Sequence, residues 1–209
     1  MNWAKTSVLA ICLSCFASSQ EVQAWQPSSN HPGSSSQILT AKVVNSQDEI
    51  NYEISIEKLT LAKSKRDQFY ALADASKNSF TAGKYAEAKA FSLKLLALAS
   101  EFPKDWNYGN AIHDANMVLG RIALKEGDTT EAISFLLKAG GTPGSLNLNS
   151  FGPNMNLAKD LLEKGEKDSV LKYFELCGKF WGYHQDYLDK WSLNVKNGQI
   201  PDFKANLLY

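Results

Sequence analysis

The chain has 209 residues and no formal net charge, because 22 basic side chains balance 22 acidic ones. This length suffices for one or two domains. The neutral balance argues against nucleic-acid binding, which usually comes with a basic excess, and it leaves no polybasic segment for an anionic membrane surface. Nucleic acid and membrane surfaces are therefore not expected partners.

Residues 1–24 have the pattern of a secretory signal peptide. Lys5 supplies the positive start, residues 7–17 form a short apolar run, and small residues surround a cleavage position after Ala24. No later stretch approaches the roughly 18 consecutive apolar residues of a transmembrane helix. We therefore expect a periplasmic or secreted protein without a transmembrane segment.

The three cysteines bear on compartment and anchoring. Cys12 and Cys15 lie within the predicted signal peptide, which leaves Cys177 alone in the rest of the chain. A lone cysteine forms no internal disulfide, so the core must stabilise the exported protein without one. Cys15 also resembles a lipoprotein cysteine, but Cys12 occupies the position where that motif has Leu. Lipid anchoring at Cys15 is therefore the less favoured alternative.

Residues 25–56 are predicted to precede the folded body. Residues 25–37 are rich in Ser, Pro, Gly and Asn, which is typical of a flexible lead-in. Residues 50–56 alternate apolar and polar side chains with the period of a strand. Residues 46–49 instead read as a capping box, which would begin a helix there. The prediction is an extended segment lying on the helical body, with the helix as its alternative.

Residues 57–209 predict an all-α domain. Apolar side chains recur at helical spacing, and Gly or Pro ends most of the segments. The first is expected to be one long helix from about Glu57 to Gly83. The later helices are predicted over residues 85–102, 108–126, 129–139, 154–164, about 170–177 and 184–196, before a tail that packs back on the body.

One layout occurs three times in this domain: a helix ends at a glycine, and the next helix has a small residue five positions later. The glycines and the small residues that follow them are Gly83 with Ala88, Gly127 with Ala132, and Gly165 with Val170. Small side chains at such positions let two antiparallel helices approach closely. Neither helix can bury its apolar stripe alone, so the layout predicts helix pairs that stack on one another.

Over residues 58–181 this layout resembles the tetratricopeptide-repeat family. The positions that carry the resemblance are Leu119, Gly120, Gly127, Ala132, Ala139 and Pro143. The repeats are longer than the family's roughly 34 residues, and Val170 departs from the usual Ala. The resemblance implies a short right-handed α-solenoid of about three helix pairs, plus a C-terminal helix and tail. The sequence is also similar to a group of exported bacterial repeat proteins of unknown role.

The resemblance assigns the first helix of each pair to a concave, ligand-binding face. One position on that helix is basic in all three pairs, as Lys77, Arg121 and Lys159. Stacked repeats would align these cations, which suits carboxylates because the hydrogen bonds are charge-assisted. The leading hypothesis is an interaction module that binds a peptide or protein partner, with a carboxylate-bearing partner, such as an acidic or C-terminal segment, suited to this row of cations. Asparagines expected near the row are Asn116, Asn154 and Asn156. A merely solvated helix face is the competing interpretation.

A second hypothesis places a small polar ligand at residues 140–156, as in a carrier or sensor. This stretch is rich in Gly and Asn, and Asn147 and Asn154 could recognise a ligand by hydrogen bonding. Asn110 and His113 lie one turn apart on the preceding helix and would share a face. Gly and Asn also satisfy turn geometry and helix caps, so a purely structural loop is the alternative.

Catalytic and metal-binding signatures do not occur in the sequence. His31, His113 and His184 have no partner at a metal-ligand spacing. Cys177 falls on an apolar helical stripe, where a buried, inert thiol is expected. We therefore expect a protein that is not an enzyme and that needs no cofactor or metal.

Overall fold

A computed structural model describes residues 46–208 of the chain. The predictions for residues 1–45, including the signal peptide, the lipid-anchor alternative and most of the lead-in, lie outside the described residues. The α-helices of the described part are α1 Gln47–Leu61, α2 Lys65–Thr81, α3 Tyr85–Ala99, α4 Tyr108–Lys125, α5 Thr129–Gly140, α6 Leu146–Phe151, α7 Asn156–Leu162, α8 Lys167–Cys177 and α9 Gln185–Lys196. Two 3-10 turns span Gly182–His184 and Lys204–Leu207. None of these helices is long and apolar enough to cross a membrane.

The extended segment predicted for residues 50–56 is wrong, because these residues belong to α1. The capping alternative explains the helix: the Ser46 hydroxyl accepts a hydrogen bond from the Glu49 N–H at 3.3 Å. The alternation of apolar residues in 50–56 led to the strand prediction, but it does not correspond to a buried face. Ile50 and Ile54 remain exposed, and Ser55 is the buried residue of this helix.

The single long helix predicted from about Glu57 to Gly83 is also wrong. The chain breaks at residues 62–64, and α2 begins anew after Ser64. Ser64 and Asp67 form a reciprocal capping box, in which each side chain bonds to the backbone N–H of the other. This local pairing satisfies donors at the start of α2 and separates it from α1.

Three helix hairpins follow, namely α2–α3, α4–α5 and α7–α8, and their turns share one backbone conformation. Gly83, Gly127 and Gly165 have φ of 76°, 88° and 89°. No atom lies within 4 Å of a Cβ built at these three positions. Glycine is therefore favoured there by the left-handed backbone and not by crowding. The small residue that follows each turn is fully buried in every case.

The first helices of the hairpins are neighbours, since α2 packs on α4 and α4 packs on α7. The hairpins also meet through α3 against α4 and α5 against α8, while α1 covers α2. Gly120 permits one close approach: a Cβ there would collide with the Leu157 side chain and lie 3.1 Å from the Phe135 Cβ. The predicted all-α class is confirmed for the described residues.

The segment 140–156 is not a plain loop, because it contains α6. The Ser145 hydroxyl accepts a hydrogen bond from the Leu148 N–H at 3.0 Å and begins this helix. The predicted return of the tail is confirmed. Phe203 is fully buried, and the Met155 N–H donates to the Asn206 carbonyl at 2.9 Å. The tail therefore covers the start of α7.

Candidate functional site

A groove of about 390 Å³ lies between the first helices of the first two hairpins and is called here the α2–α4 groove. Its apolar floor consists of Phe80, Met117 and Val118, which are nearly completely buried, and the exposed side chain of Leu208 also lines it. Polar side chains of α1, α2, α4 and the turn before α7 surround them. The groove thus joins an apolar floor to a polar rim, as ligand sites commonly do.

Lys77 lies in this groove and is held by acidic partners. Its Nζ is 3.2 Å from Asp114 Oδ2 on α4 and 3.8 Å from Asp74 Oδ1 on its own helix. The Asp114 carboxylate, followed by that of Asp74, raises the pKa of Lys77 despite the opposing effect of burial. The side chain therefore stays charged and connects the first hairpin to the second.

Arg121 has the corresponding contacts one hairpin later. Its Nε donates to Asp160 Oδ2 at 2.8 Å, and its guanidinium lies 4.6 Å from the Phe80 ring centroid. Lys159, beside Asp160, does not line the groove; its Nζ instead lies 3.5 Å from the carboxylate of Glu163, just after the end of α7. Two of the three aligned cations thus share the groove, each paired with a carboxylate of the following hairpin.

The groove carries charges of both signs. Three carboxylates, of Asp48, Asp74 and Asp114, accompany the two cations Lys77 and Arg121 in its lining. An anionic ligand would have to compete with these carboxylates for the same two cations. The groove is therefore not an open positive clamp.

Two asparagines bring unused amide groups to the groove. The Asn78 Nδ2 donates to the Asn51 carbonyl at 3.2 Å, and the Asn154 Oδ1 accepts from the Asn156 N–H at 2.8 Å. The Asn78 Oδ1 and the Asn154 Nδ2 form no hydrogen bond with other described residues. These two atoms leave one acceptor and one donor for a ligand.

His113 is completely buried and bonds to two backbone groups. Its Nε2 accepts from the Asn154 N–H at 3.0 Å, and its Nδ1 lies 3.2 Å from the Ala139 carbonyl oxygen. Because Nε2 accepts, we assign the proton to Nδ1, which donates to Ala139. Burial lowers the pKa of His113 and favours this neutral form. His113 therefore ties α4 to the end of α5 and to the turn before α7.

The remaining predicted residues are mostly engaged inside the fold. The Asn110 Oδ1 accepts from the Ser145 hydroxyl, and its Nδ2 donates to Asn107. The Asn116 Nδ2 donates to the Ile112 carbonyl one turn earlier. These hydrogen bonds give Asn110 and Asn116 structural roles that require no ligand.

Asn156 and Asn147 have different surroundings. The Asn156 Nδ2 donates to Asn154 Oδ1 at 3.0 Å and to the Leu207 carbonyl at 3.2 Å, so it links the groove to the tail. Asn147 is exposed on α6 and does not line the α2–α4 groove. Of the asparagines predicted in segment 140–156, Asn154 and Asn156 therefore line the α2–α4 groove, whereas Asn147 does not.

Sequence reasoning missed the acidic partners Asp114 and Asp160. Each lies about one repeat after the cation that it pairs with. An acidic residue about one repeat after each cation was therefore the sequence feature that could have predicted these ion pairs. The apolar floor was missed because Phe80, Met117 and Val118 read as ordinary core residues. Only the approach of α2 to α4 makes them line a groove.

No other chemical centre emerges in residues 46–208. No group of three or more His, Cys, Asp or Glu among them is arranged to hold a metal ion. Cys177 is buried, and this burial raises the pKa of its thiol far above the ordinary value. The thiolate needed for nucleophilic chemistry is therefore strongly disfavoured.

Comparison with known proteins gives no relative for this chain. No family model matches it, and no significantly similar protein was found among the curated proteins or the solved structures.

Proposed function

We propose that this protein is an exported interaction module, not an enzyme, whose α2–α4 groove binds a segment of a peptide or protein partner. The observation that carries the proposal is the groove itself. A buried apolar floor, one unpaired atom on each of the amide groups of Asn78 and Asn154, and charges of both signs meet there between neighbouring hairpins. This combination suits an extended polypeptide, which offers backbone donors and acceptors as well as side chains.

The amide groups favour a peptide backbone. A peptide unit carries one donor and one acceptor, which complement the Asn78 Oδ1 and the Asn154 Nδ2. An apolar side chain of the same segment would cover Phe80 and Val118, which line the groove. The apolar floor would then provide specificity. The floor and the amide hydrogen bonds would together provide affinity.

The ion pairs favour a segment that is neutral or of mixed charge. Lys77 and Arg121 already have carboxylate partners at 3.2 and 2.8 Å. A carboxylate-bearing partner, as the sequence suggested, would have to displace Asp114 or Asp160. We therefore propose binding that weakens only modestly as salt screens charges, whereas an open clamp would lose affinity steeply.

Export and repeat type belong to the same proposal. The pattern of residues 1–24 supports secretion into the periplasm or medium. The common turn conformation at Gly83, Gly127 and Gly165 supports a short solenoid of tetratricopeptide type. In such a solenoid the α2–α4 groove is part of the concave face.

The proposal is tested by selecting peptides from a displayed random library and measuring their affinity by fluorescence anisotropy. We expect selected peptides to bind the wild type and to bind Asn78→Ala and Lys77→Ala about tenfold more weakly. Lys89→Ala is the matched control, because Lys89 also pairs between hairpins, with Glu126 at 3.2 Å, but lies outside the groove.

The control variant should bind like the wild type. The proposal fails if no peptide is enriched, or if Asn78→Ala and Lys77→Ala bind selected peptides as tightly as the wild type does. A loss of affinity equal in Lys89→Ala and Lys77→Ala would also contradict it, since the effect would then not belong to the groove.

A further inference from the structure

A second cleft, of about 470 Å³, lies between α9 and the C-terminal tail and is called here the C-terminal cleft. Aromatic rings form much of its surface. Trp181 and Tyr187 stack with ring centroids 6.0 Å apart, and Trp191 contacts Phe203 edge-on at 5.0 Å. These contacts fix the rings in place, which pre-organises the surface that a ligand would meet.

Part of this aromatic surface is open to solvent. Tyr187 is 45% exposed, and Phe151 of α6, which also lines the cleft, is 72% exposed. Large aromatic side chains usually bury their area, so exposed ones in a concave site are candidates for ligand contact. The cleft therefore offers ring faces or edges to an incoming molecule.

The rim carries polar groups of both signs. Lys190 and Asn194 come from α9, and Asp202 and Lys204 come from the tail. The side chains of Lys190 and Asn194 form no hydrogen bond or ion pair with any other residue of 46–208. Their donors and acceptors are therefore available to a ligand.

The backbone at the rim is held in an unusual conformation. Lys204 has φ of 48° and is the one non-glycine residue among those described with a positive φ. The Asp202 Oδ1 accepts a hydrogen bond from the Lys204 N–H at 3.1 Å. Such local strain is often found at binding sites, where it positions a side chain.

From these features we infer that the C-terminal cleft binds a saccharide, with a neutral sugar ring lying against the aromatic surface. The rim does not select a strongly charged ligand, because Lys190 and Lys204 repel cations and the carboxylate of Asp202 offsets part of their attraction for anions. A sugar hydroxyl both donates and accepts, so it can use ammonium, amide and carboxylate groups together. The weakly positive C–H face of a sugar ring also complements the negative face of an aromatic ring.

The C-terminal cleft shares no lining residue with the α2–α4 groove. The inference is therefore independent of the proposed peptide binding.

Intrinsic tryptophan fluorescence tests the inference directly, because Trp181 and Trp191 line the cleft. The purified protein is titrated with three neutral probes: chitotriose, cellotriose and maltotriose. We expect a saturable change with at least one of them, with a dissociation constant on the order of 1 mM or tighter. Tyr187→Ala and Asn194→Ala should each weaken that binding roughly tenfold.

The matched control is Tyr183→Ala, because Tyr183 is 97% exposed, near Tyr187 in the chain, and outside the cleft. It should bind like the wild type, and far-ultraviolet circular dichroism should show that all variants are folded. The inference is overturned if no probe gives a saturable change at about 10 mM. It is equally overturned if Tyr187→Ala and Asn194→Ala both bind normally, or if tetramethylammonium or glucuronate binds more tightly than every neutral probe.

Discussion

Replacing His113 with Leu should destabilise the protein by about 1.5–4.5 kcal/mol, because the Asn154 N–H would lose its partner and the Ala139 carbonyl would keep only a long hydrogen bond from the Thr142 N–H, at 3.5 Å. Both hydrogen bonds are buried, at 3.0 and 3.2 Å, and Leu fills similar space without a polar atom. The unsatisfied Asn154 N–H costs about 1–3 kcal/mol, and the lost hydrogen bond to Ala139 costs about 0.5–1.5 kcal/mol. The sum is a large fraction of the 5–15 kcal/mol that typically stabilises a protein.

Thermal and urea unfolding followed by circular dichroism measure this loss. The expected free-energy change corresponds to a decrease in Tm of roughly 3–18 °C. His184→Leu is the matched control, because the His184 ring is half-buried and makes only ring contacts; it should change stability by less than about 1 kcal/mol. A His113→Leu protein within about 0.5 kcal/mol of the wild type would refute the assigned role of these bonds.

Three further outcomes follow from the same contacts. The wild type should lose stability as pH falls below about 6.5. The unfolded chain protonates His113 at its ordinary pKa, whereas burial lowers the pKa of His113 in the folded protein. The free energy of unfolding of His113→Leu should therefore depend less on pH. Gly120→Val should cost about 1–3 kcal/mol in urea unfolding, since its Cβ would crowd Leu157 and Phe135, and a variant of unchanged stability would contradict the close packing there. Cys177 should react with a thiol reagent only in denaturant, and rapid labelling of the folded protein would show that it is not buried as described.

Much of the helical architecture was predictable because its determinants are local. Glycine readily adopts the left-handed conformation that ends many helices, so Gly83, Gly127 and Gly165 indicated the three turns. Apolar spacing located the later hairpin helices to within a few residues, but it merged α2 with the end of α1. The same local logic failed at α1, where a strand-like alternation outweighed the correct reading of Ser46 as a helix cap.

The candidate sites were harder to predict because they depend on contacts between distant segments. The cations Lys77 and Arg121 were identified, but their pairing with Asp114 and Asp160 arises only when consecutive hairpins come together. The environment of His113 likewise needs the chain to return 41 residues later. Side-chain spacing on one helix contains no information about such partners.

The aromatic cleft illustrates the same limit. Its rings come from α6, the 3-10 turn before α9, α9 itself and the tail, so no single stretch of sequence carries the pattern. Phe151 in particular belongs to a short helix that was predicted as loop.

The proposed function depends on partner binding in the α2–α4 groove, and hydrogen exchange measured by mass spectrometry tests this most directly. Exchange is compared for the protein alone and saturated with a peptide selected from the library. We expect added protection in α2, in α4 and at residues 152–156, the segments that border the groove. Protection confined to α3, α5 and α8, with none in α2 or α4, would contradict the proposed function.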